Sequence, residues 1–279
     1  MDFDLPGFDL AAFIAATLAE DMGQGGDRTS AAVIPAGATL TAVMDSRDAA
    51  VIAGLPITAA FFRALDPTCT AEILAAEGAR VLAGTDLMRI TGNARALLAA
   101  ERSALNTVQH LTGIATITRA YVDAIAGTGA ILLDTRKTLP GLRILEKYAA
   151  RTGGATNHRM RLDDGVMIKD NHIAVAGGVQ TAVAAAKAAG LRNIVVEVDT
   201  LDQIPAALAA GADRLLLDNM APPMLRDALA LIAGRVPTEA SGGVTLATIR
   251  AIAETGVTFI SVGRITQSAP AADIGLDYA

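Results

Sequence analysis

Residues 193–219, NIVVEVDTLDQIPAALAAGADRLLLDN, contain the pattern that decides the fold class. Two short runs rich in Val and Leu flank a helix-like segment, Leu201–Ala210, and a carboxylate follows within or directly after each run. An apolar strand, a helix and a second apolar strand are typical of a parallel sheet whose strands are covered by helices. This stretch therefore predicts an α/β domain built on a parallel sheet.

The same alternation extends in both directions from this stretch, beginning at Ile114. Six strand-like runs without a glycine-rich dinucleotide fingerprint after the first favour a closed or partly closed βα barrel over a doubly wound sheet. Because a complete barrel has eight strands, we predict an incomplete (open) α/β barrel over residues 113–269. The predicted strands are Ile131–Leu133, Val166–Ile168, Ile194–Val196, Leu215–Leu217, Val236–Ala240 and Phe259–Val262, and the other predicted helices are Gly141–Thr152, Val179–Ala189, Pro223–Ala233 and Leu246–Glu254.

Residues 1–112 show a different pattern. An amphipathic helix is predicted over residues 8–22 and a long helix over Ala94–Leu111. Between them, short runs separated by turn signals predict strands, with a helix at Ile57–Leu65 whose first turn suits Pro56. We therefore predict an N-terminal α+β sandwich domain. Its predicted strands are Thr39–Asp45, Ala49–Ala53, Ala71–Ala75 and Asp86–Gly92.

The composition excludes several classes of protein. Hydrophobic residues make up 52% and charged residues 19% of the chain, which argues against intrinsic disorder, and no apolar stretch reaches the length of a membrane span. A single cysteine, Cys69, excludes an intramolecular disulfide framework and a cysteine-based zinc cluster. The net charge of −6 argues against a nucleic-acid surface. The acidic N-terminus lacks the basic start of a secretory signal, so we expect a cytoplasmic protein.

In βα barrels the site forms from residues just past each strand, and those positions here are polar. Clustered cations suit a ligand with several carboxylates or phosphates, whereas Glu197 and Asp218 suit Mg²⁺. Glu197 lies within a run of valines, where a carboxylate is unfavourable unless it is paired or binds metal. Glycine turns that open helices offer N–H groups to a phosphate. The cations are Arg136, Lys137, His158, Arg159 and Lys169, and the turns are Ser241-Gly242-Gly243 and Val262-Gly263.

Each of these features alone has a simpler interpretation. Ser241-Gly242-Gly243 also fits an ordinary β-to-α turn, and Asp218 with Asn219 also fits a helix cap. Arg136 and Lys137 also fit a solvated pair of charges. The coincidence at six strand ends favours a site, and the chemistry that it predicts is a polyanionic, phosphorylated substrate bound with magnesium.

At these residues the sequence resembles the quinolinate phosphoribosyltransferase family. The resemblance spans nearly the whole chain in order, and the segments Asp134–Gly141 and Lys169–His172 are its most specific motifs. The other matching segments are Glu20–Gly23, Glu101–Asn106, Asn157–Met160, Glu197–Asp199, Leu217–Met220, Glu239–Gly243 and Ser261–Gly263.

The resemblance implies a two-domain subunit in which the C-terminal tail, residues 270–279, packs on the N-terminal domain. It implies transfer of phosphoribosyl from phosphoribosyl pyrophosphate to quinolinate with decarboxylation, giving nicotinate mononucleotide, pyrophosphate and CO₂ in de novo NAD biosynthesis. It also implies a homodimer in which Arg102 reaches the neighbouring active site, and the choice between dimer and hexamer stays open.

The resemblance further assigns roles to residues. Lys137, Lys169, Glu197 and Asp218 are expected to be catalytic, with Glu197 and Asp218 facing the ribose and Mg²⁺. The expected substrate-binding set is Arg102, Thr135, Arg136, Lys137, His158, Arg159, Lys169, Glu197, Asp218, Ser241, Gly242, Gly243, Val262, Gly263 and Arg264.

Two positions depart from the family pattern, and three alternatives compete with this interpretation. Arg264 and Gln267 stand where relatives commonly have a small residue and a histidine. The main alternative is a molybdate-transport accessory relative of the same fold, although the intact Lys169–His172 and Asn157–Arg159 motifs argue against it. The others are a Schiff-base aldolase or decarboxylase using Lys169, and a binding module without catalytic function.

Overall fold

A computed structural model describes residues 5–278 and divides the chain into two units. The first unit holds the described residues up to Ile117, the segment Ile144–Gly153 and the described residues from Ala269 onward. The second unit holds Thr118–Arg143 and Gly154–Ser268.

In chain order the elements are α1 (Leu10–Met22), α2 (Arg28–Val33), β1 (Thr39–Ser46), β2 (Ala50–Val51), α3 (Leu55–Leu65), β3 (Thr70–Ile73), β4 (Arg80–Val81), β5 (Thr85–Asn93), α4 (Ala94–Ala124), β6 (Ile131–Leu133), α5 (Arg143–Thr152), β7 (Met167–Ile168), α6 (Asp170–Ala176), α7 (Val179–Ala188), β8 (Val195–Val198), α8 (Gln203–Ala210), β9 (Arg214–Asp218), α9 (Pro222–Ile232), β10 (Thr238–Ser241), α10 (Leu246–Ala253), β11 (Phe259–Ser261), α11 (Arg264–Gln267) and β12 (Ile274–Tyr278).

A four-stranded antiparallel sheet organises the first unit, in the order β12-β1-β5-β3. Every second side chain of the later part of β1 is buried, at Ala42, Met44 and Ser46, because strand side chains alternate between the two faces of a sheet. Phe61 and Phe62 of α3 have no exposed surface and belong to the same unit. This arrangement of helices and an antiparallel sheet is the predicted α+β class.

The C-terminal strand β12 is an edge strand of this sheet. It pairs antiparallel with β1, with Met44 opposite Leu276. The side-chain amide of Gln109 donates a hydrogen bond of 2.8 Å to the carbonyl of Ile274. Residues 274–278 are therefore part of the first unit rather than a free tail.

Helix α5 differs from the predicted organisation, which placed it in the barrel domain of residues 113–269. Its residues from Ile144 onward belong to the first unit, because their polar groups find partners there. Glu146 is fully buried, with Oε1 2.9 Å from Nε2 of His110, and the Tyr148 hydroxyl donates to Glu77. Lys147, between them, is also fully buried.

Helix α4 continues to Ala124, well past the predicted end at Leu111, and passes through Gly113 without a break. Glycine is unfavourable inside a helix by about 1 kcal/mol relative to alanine. Here a close approach explains it, since a Cβ at Gly113 would lie 2.0 Å from the carbonyl oxygen of Pro270. The chain segment that precedes β12 therefore crosses α4 in direct backbone contact.

Six parallel strands form the sheet of the second unit, in the order β6-β11-β10-β9-β8-β7. Neighbouring strands pair in parallel throughout, as Ala240 does with Leu217. Strands β6 and β7 lie at the two edges, and within residues 5–278 the only pairing on the outer side of β6 is a single parallel bridge between Leu133 and Thr156. The fold class predicted from the sequence is thus confirmed.

Several short elements escape the sequence patterns, namely α2, β4, α6, α11 and β12. Of these, α6 matters for the site, because it begins directly after Lys169. The backbone N–H of Lys169 donates to Nδ1 of His172 at 3.0 Å, which fixes the first turn of this helix. None of the helices among residues 5–278 combines the length and the apolar character that a bilayer span requires.

The Gly113–Pro270 contact predicts that a methyl group added at position 113 destabilises the fold. We expect Gly113→Ala to lower the free energy of unfolding by about 2 kcal/mol, because the clash with a backbone carbonyl outweighs the gain in helix propensity. Gly37→Ala is the control, since a Cβ there meets nothing within 4 Å. Chemical denaturation of both variants measures the difference, and equal stability of Gly113→Ala and the parent chain would contradict the contact.

Candidate active site

A pocket of about 350 Å³ lies in the second unit, at the carboxyl ends of its strands. Its lining combines cations, carboxylates and hydroxyls and therefore suits a highly charged ligand. The predicted site residues that line it are Thr135, Arg136, Lys137, His158, Arg159, Lys169, Glu197, Asp218 and Ser241.

A larger groove of about 1320 Å³ in the first unit is a poor candidate for the same chemistry. It is lined mainly by apolar side chains of α1 and α3, such as Ile14 and Leu18, and Arg63 is the one charged residue in its lining. A groove with this lining offers almost nothing to a polyanion. The smaller pocket is therefore the candidate active site.

One side of the pocket is strongly cationic. Burial lowers the pKa of Arg159, and the positive charge of Arg136 lowers it further, so the two guanidinium groups are close enough to repel. Nη1 of Arg159 is held by a 2.9 Å hydrogen bond to the carbonyl of Gly165. Like charges held near each other favour an anionic ligand between them.

Two carboxylates, those of Glu197 and Asp218, line the pocket, and Asp199 lies beside them, with ligand oxygens of all three within 4.8 Å of one another. Burial raises the pKa of Asp218, and the charge of Asp199 raises it further. A set of oxygen ligands at this spacing is of the kind that Mg²⁺ takes. The residues therefore fit a divalent cation, and Asp199 joins the two carboxylates that the sequence predicted as ligands.

Lys169 links the two sides of the pocket. It lies between the end of β7 and the start of α6, and its Nζ is 3.0 Å from Oε2 of Glu197, whose side chain is only 11% exposed. The sequence predicted that a carboxylate within this run of valines is paired or binds metal. The structure pairs Glu197 with Lys169.

The buried carboxylate of Asp134 holds residues 157–159, the segment that contains Arg159, in place. Asp134, which follows β6, has no exposed surface. It accepts hydrogen bonds from the backbone N–H of His158 at 2.7 Å and from the side-chain amide of Asn157 at 2.6 Å. These bonds connect the end of β6 to the 157–159 segment and so fix the position from which Arg159 extends.

The predicted glycine turns follow β10 and β11 but do not line the pocket, apart from Ser241. Gly242 has φ +89°, and a Cβ there would lie 2.1 Å from Oδ1 of Asn219. A Cβ at Gly263 would lie 2.7 Å from Cδ of Lys137. Both turns therefore need glycine for close packing against pocket segments. Of the other predicted residues, Gly243 also has a positive φ, Val262 is buried, and Arg264 is exposed at the start of α11.

Arg102 is the one predicted substrate ligand that belongs to the first unit. It is exposed on α4 and does not line the pocket of the second unit.

Sequence analysis missed four residues that line the pocket, namely Met167, Leu216, Glu239 and Ser261. Each stands two positions before a predicted site residue on its strand, as Leu216 stands before Asp218. Because alternate residues of a strand face the same side, the strand period points to these positions. They form the deeper layer of the pocket, below the layer of strand ends.

Comparisons with known proteins identify the family of the chain. The family models described as the N-terminal and C-terminal domains of quinolinate phosphoribosyl transferase match residues 27–112 and 114–277. The nicotinate-nucleotide pyrophosphorylase [carboxylating] of Mycobacterium leprae is 43% identical, with 95% of each chain covered. The chloroplastic enzyme of the same name from Arabidopsis thaliana is 42% identical, with 97% of this chain and 83% of that protein covered.

A solved structure shows the same architecture. NadC from Streptococcus pyogenes superposes with a TM-score of 0.93 at 38% identity, and 99% of each chain is covered. Together the two family models match residues of both units. The two named relatives and the solved structure each align with at least 95% of this chain. The chain therefore belongs to the quinolinate phosphoribosyl transferase family.

Proposed function

We propose that this chain transfers the phosphoribosyl group of phosphoribosyl pyrophosphate to quinolinate and releases pyrophosphate and CO₂. The product is nicotinate mononucleotide, an intermediate of de novo NAD biosynthesis. Family membership supports the reaction, and the relatives above carry names for it. The single observation that carries the proposal is a pocket that combines two arginines with two carboxylates, beside which a third carboxylate lies. Nothing in those names supports the molybdate-transport alternative.

The cationic side suits quinolinate, which carries two adjacent carboxylates on a pyridine ring. A guanidinium binds a carboxylate through two parallel hydrogen bonds, and Arg136 and Arg159 together offer two such groups. Lys169 adds a third positive charge between them and the carboxylate cluster. We assign these residues, with Thr135 and His158, to quinolinate.

The acidic side suits the ribosyl centre and a Mg²⁺ ion held by Glu197, Asp199 and Asp218. When bound, the metal neutralises charge on the pyrophosphate. As the bond between the anomeric carbon and pyrophosphate breaks, positive charge develops on the ribose, and fixed carboxylates such as Glu197 and Asp218 stabilise it. Lys137 and the Ser241–Gly243 and Val262–Arg264 segments are assigned to the phosphates of the donor.

Decarboxylation follows from the first step. The ring nitrogen attacks the anomeric carbon and becomes cationic, and the adjacent C–C bond then breaks to release CO₂. The electron pair left on the ring carbon is stabilised by the neighbouring cationic nitrogen and takes up a proton from solvent. The chain itself needs to orient the departing carboxylate and limit its solvation, and Met167 and Leu216 are the apolar residues of the pocket lining that contribute to this.

The assembly and the location belong to the same proposal. We propose a homodimer in which the exposed Arg102 completes the quinolinate site of the neighbouring subunit. A cytoplasmic location also stays a prediction, because plant relatives carry chloroplastic or mitochondrial in their names.

The first test is the reaction itself. Protein incubated with quinolinate, phosphoribosyl pyrophosphate and Mg²⁺ should give nicotinate mononucleotide and CO₂ in equal amounts, measured by chromatography and ¹⁴CO₂ release. Chelation of the metal, or nicotinate in place of quinolinate, should abolish product. Folded protein that gives no product under these conditions would contradict the proposal.

The role of Glu197 predicts a specific kinetic signature. Glu197→Gln should lower kcat by about 100-fold or more, because a fixed charge at the ribosyl centre is lost. The Kd for quinolinate should change by less than about threefold, because the glutamine oxygen can still accept the hydrogen bond from Lys169. Glu254→Gln is a matched control, since it neutralises an exposed glutamate paired with Arg250 at 2.7 Å. Loss of quinolinate binding with unchanged kcat would overturn the assigned role.

Subunit mixing tests the role of Arg102. Arg102→Ala and Arg136→Ala should each be inactive, yet an equimolar mixture after subunit exchange should recover about one quarter of the parent activity, because half the dimers are mixed and each has one intact site. Arg226→Ala, which removes an exposed arginine on α9, should stay fully active. An inactive mixture with demonstrated subunit exchange would show that Arg102 does not act across the interface.

A further inference from the structure

Glu239 is a buried carboxylate that neither the predicted site nor the proposed mechanism uses. It lies on β10 with no exposed surface, yet it lines the floor of the pocket. Its Oε2 is 3.3 Å from Nε2 of His158 and 3.3 Å from Nη1 of Arg214. Such a group is tolerated only where partners compensate its charge. Burial alone raises the pKa of Glu239, but the contact with His158 and the charge of Arg214 lower it below its usual value.

One hydrogen bond of the His158 ring defines its tautomer. Nδ1 accepts the backbone N–H of Arg159 at 2.7 Å, so the ring proton is on Nε2, which faces Glu239. The imidazole therefore lies between a buried carboxylate and the backbone of Arg159.

Arg214 is the second partner of the Glu239 carboxylate. It is the first residue of β9, and its guanidinium carbon lies 4.2 Å above the centre of the Phe259 ring on β11. Stacking on an aromatic face fixes a guanidinium in one orientation. Glu239 is thus anchored on the sheet side by a fixed cation, and its other contact is with the segment that carries Arg159.

We propose that Glu239 is a positioning residue for quinolinate, which acts by holding His158 as the Nε2–H tautomer and, through it, the backbone of Arg159. This inference rests on the proposed function of the pocket. Without the carboxylate of Glu239, the His158 ring is free to rotate. The guanidinium of Arg159 then loses its fixed approach to a substrate carboxylate.

Kinetics separate this role from a general loss of structure. Glu239→Leu should raise the KM for quinolinate about tenfold, because the buried Nε2 of His158 loses the carboxylate that faces it, with kcat and the KM for phosphoribosyl pyrophosphate changed less than about threefold. Glu239→Gln keeps an acceptor oxygen and should restore most of the affinity. Glu146→Gln is the matched control, since Glu146 is equally buried and pairs with His110 at 2.9 Å. It should leave both KM values unchanged.

A double-mutant cycle tests the route through His158. In a His158→Asn background, Glu239→Leu should change the quinolinate KM by less than about twofold, because the two residues act as one unit. If the effects of the two single variants multiply, the proposal is overturned. Should Glu239→Leu fail to fold, Glu239→Leu combined with Arg214→Leu removes the buried charge together with its partner and serves in its place.

A spectroscopic measurement does not depend on activity. ¹⁵N NMR of the parent chain should show a slowly exchanging N–H proton on one ring nitrogen of His158, assigned by its absence in His158→Asn. That resonance should disappear in Glu239→Leu and persist in Glu146→Gln. Its persistence in Glu239→Leu would refute the pairing. A parent chain with this resonance but no activity on quinolinate would refute the proposed function instead.

Discussion

The ion pair between Lys169 and Glu197 is the interaction on which the pocket depends. Strands β7 and β8 pair through Met167–Val195 and Ile168–Val196, and this register brings the next residues, Lys169 and Glu197, side by side. The pair joins the cationic side of the pocket to the carboxylate cluster. Without it, Glu197 would be an unpaired carboxylate among valines, which protein interiors rarely tolerate.

The same rule of paired charges extends below the surface of the pocket. Asp134 and Glu239 are fully buried; Asp134 accepts hydrogen bonds from the 157–159 segment, and Oε2 of Glu239 lies 3.3 Å from Nε2 of His158 in the same segment. Two carboxylates on separate strands thus hold one irregular segment. A segment fixed in this way orients Arg159 without relying on the ligand, and pre-organisation of this kind reduces the entropy lost on binding.

The sequence predicted the upper layer of the pocket well because parallel strands place their carboxyl ends at one edge, and polar residues there stand out against apolar runs. The lower layer was harder, since Met167 and Leu216 look like ordinary core residues and Glu239 lies in the weakest of the predicted strands. Helix α5 shows a further limit. Its apolar pattern predicts a helix, but only the partners of Glu146 and Tyr148 decide which unit it joins. The substrate roles came from the resemblance, because charge alone does not distinguish one polyanion from another.

The mixture of charges in the pocket fits a reaction whose charges change at each step. Quinolinate arrives with two negative charges and suits the arginine side, whereas the ribosyl centre becomes positive as pyrophosphate leaves and suits Glu197 and Asp218. A pocket with cations alone would bind both substrates yet oppose the positive charge that develops between them. A pocket with carboxylates alone would not bind them. A pocket that contains both cations and carboxylates, with Lys169 paired to Glu197, stabilises the bound substrates and the transition state at different atoms. This difference allows faster turnover rather than tighter binding alone.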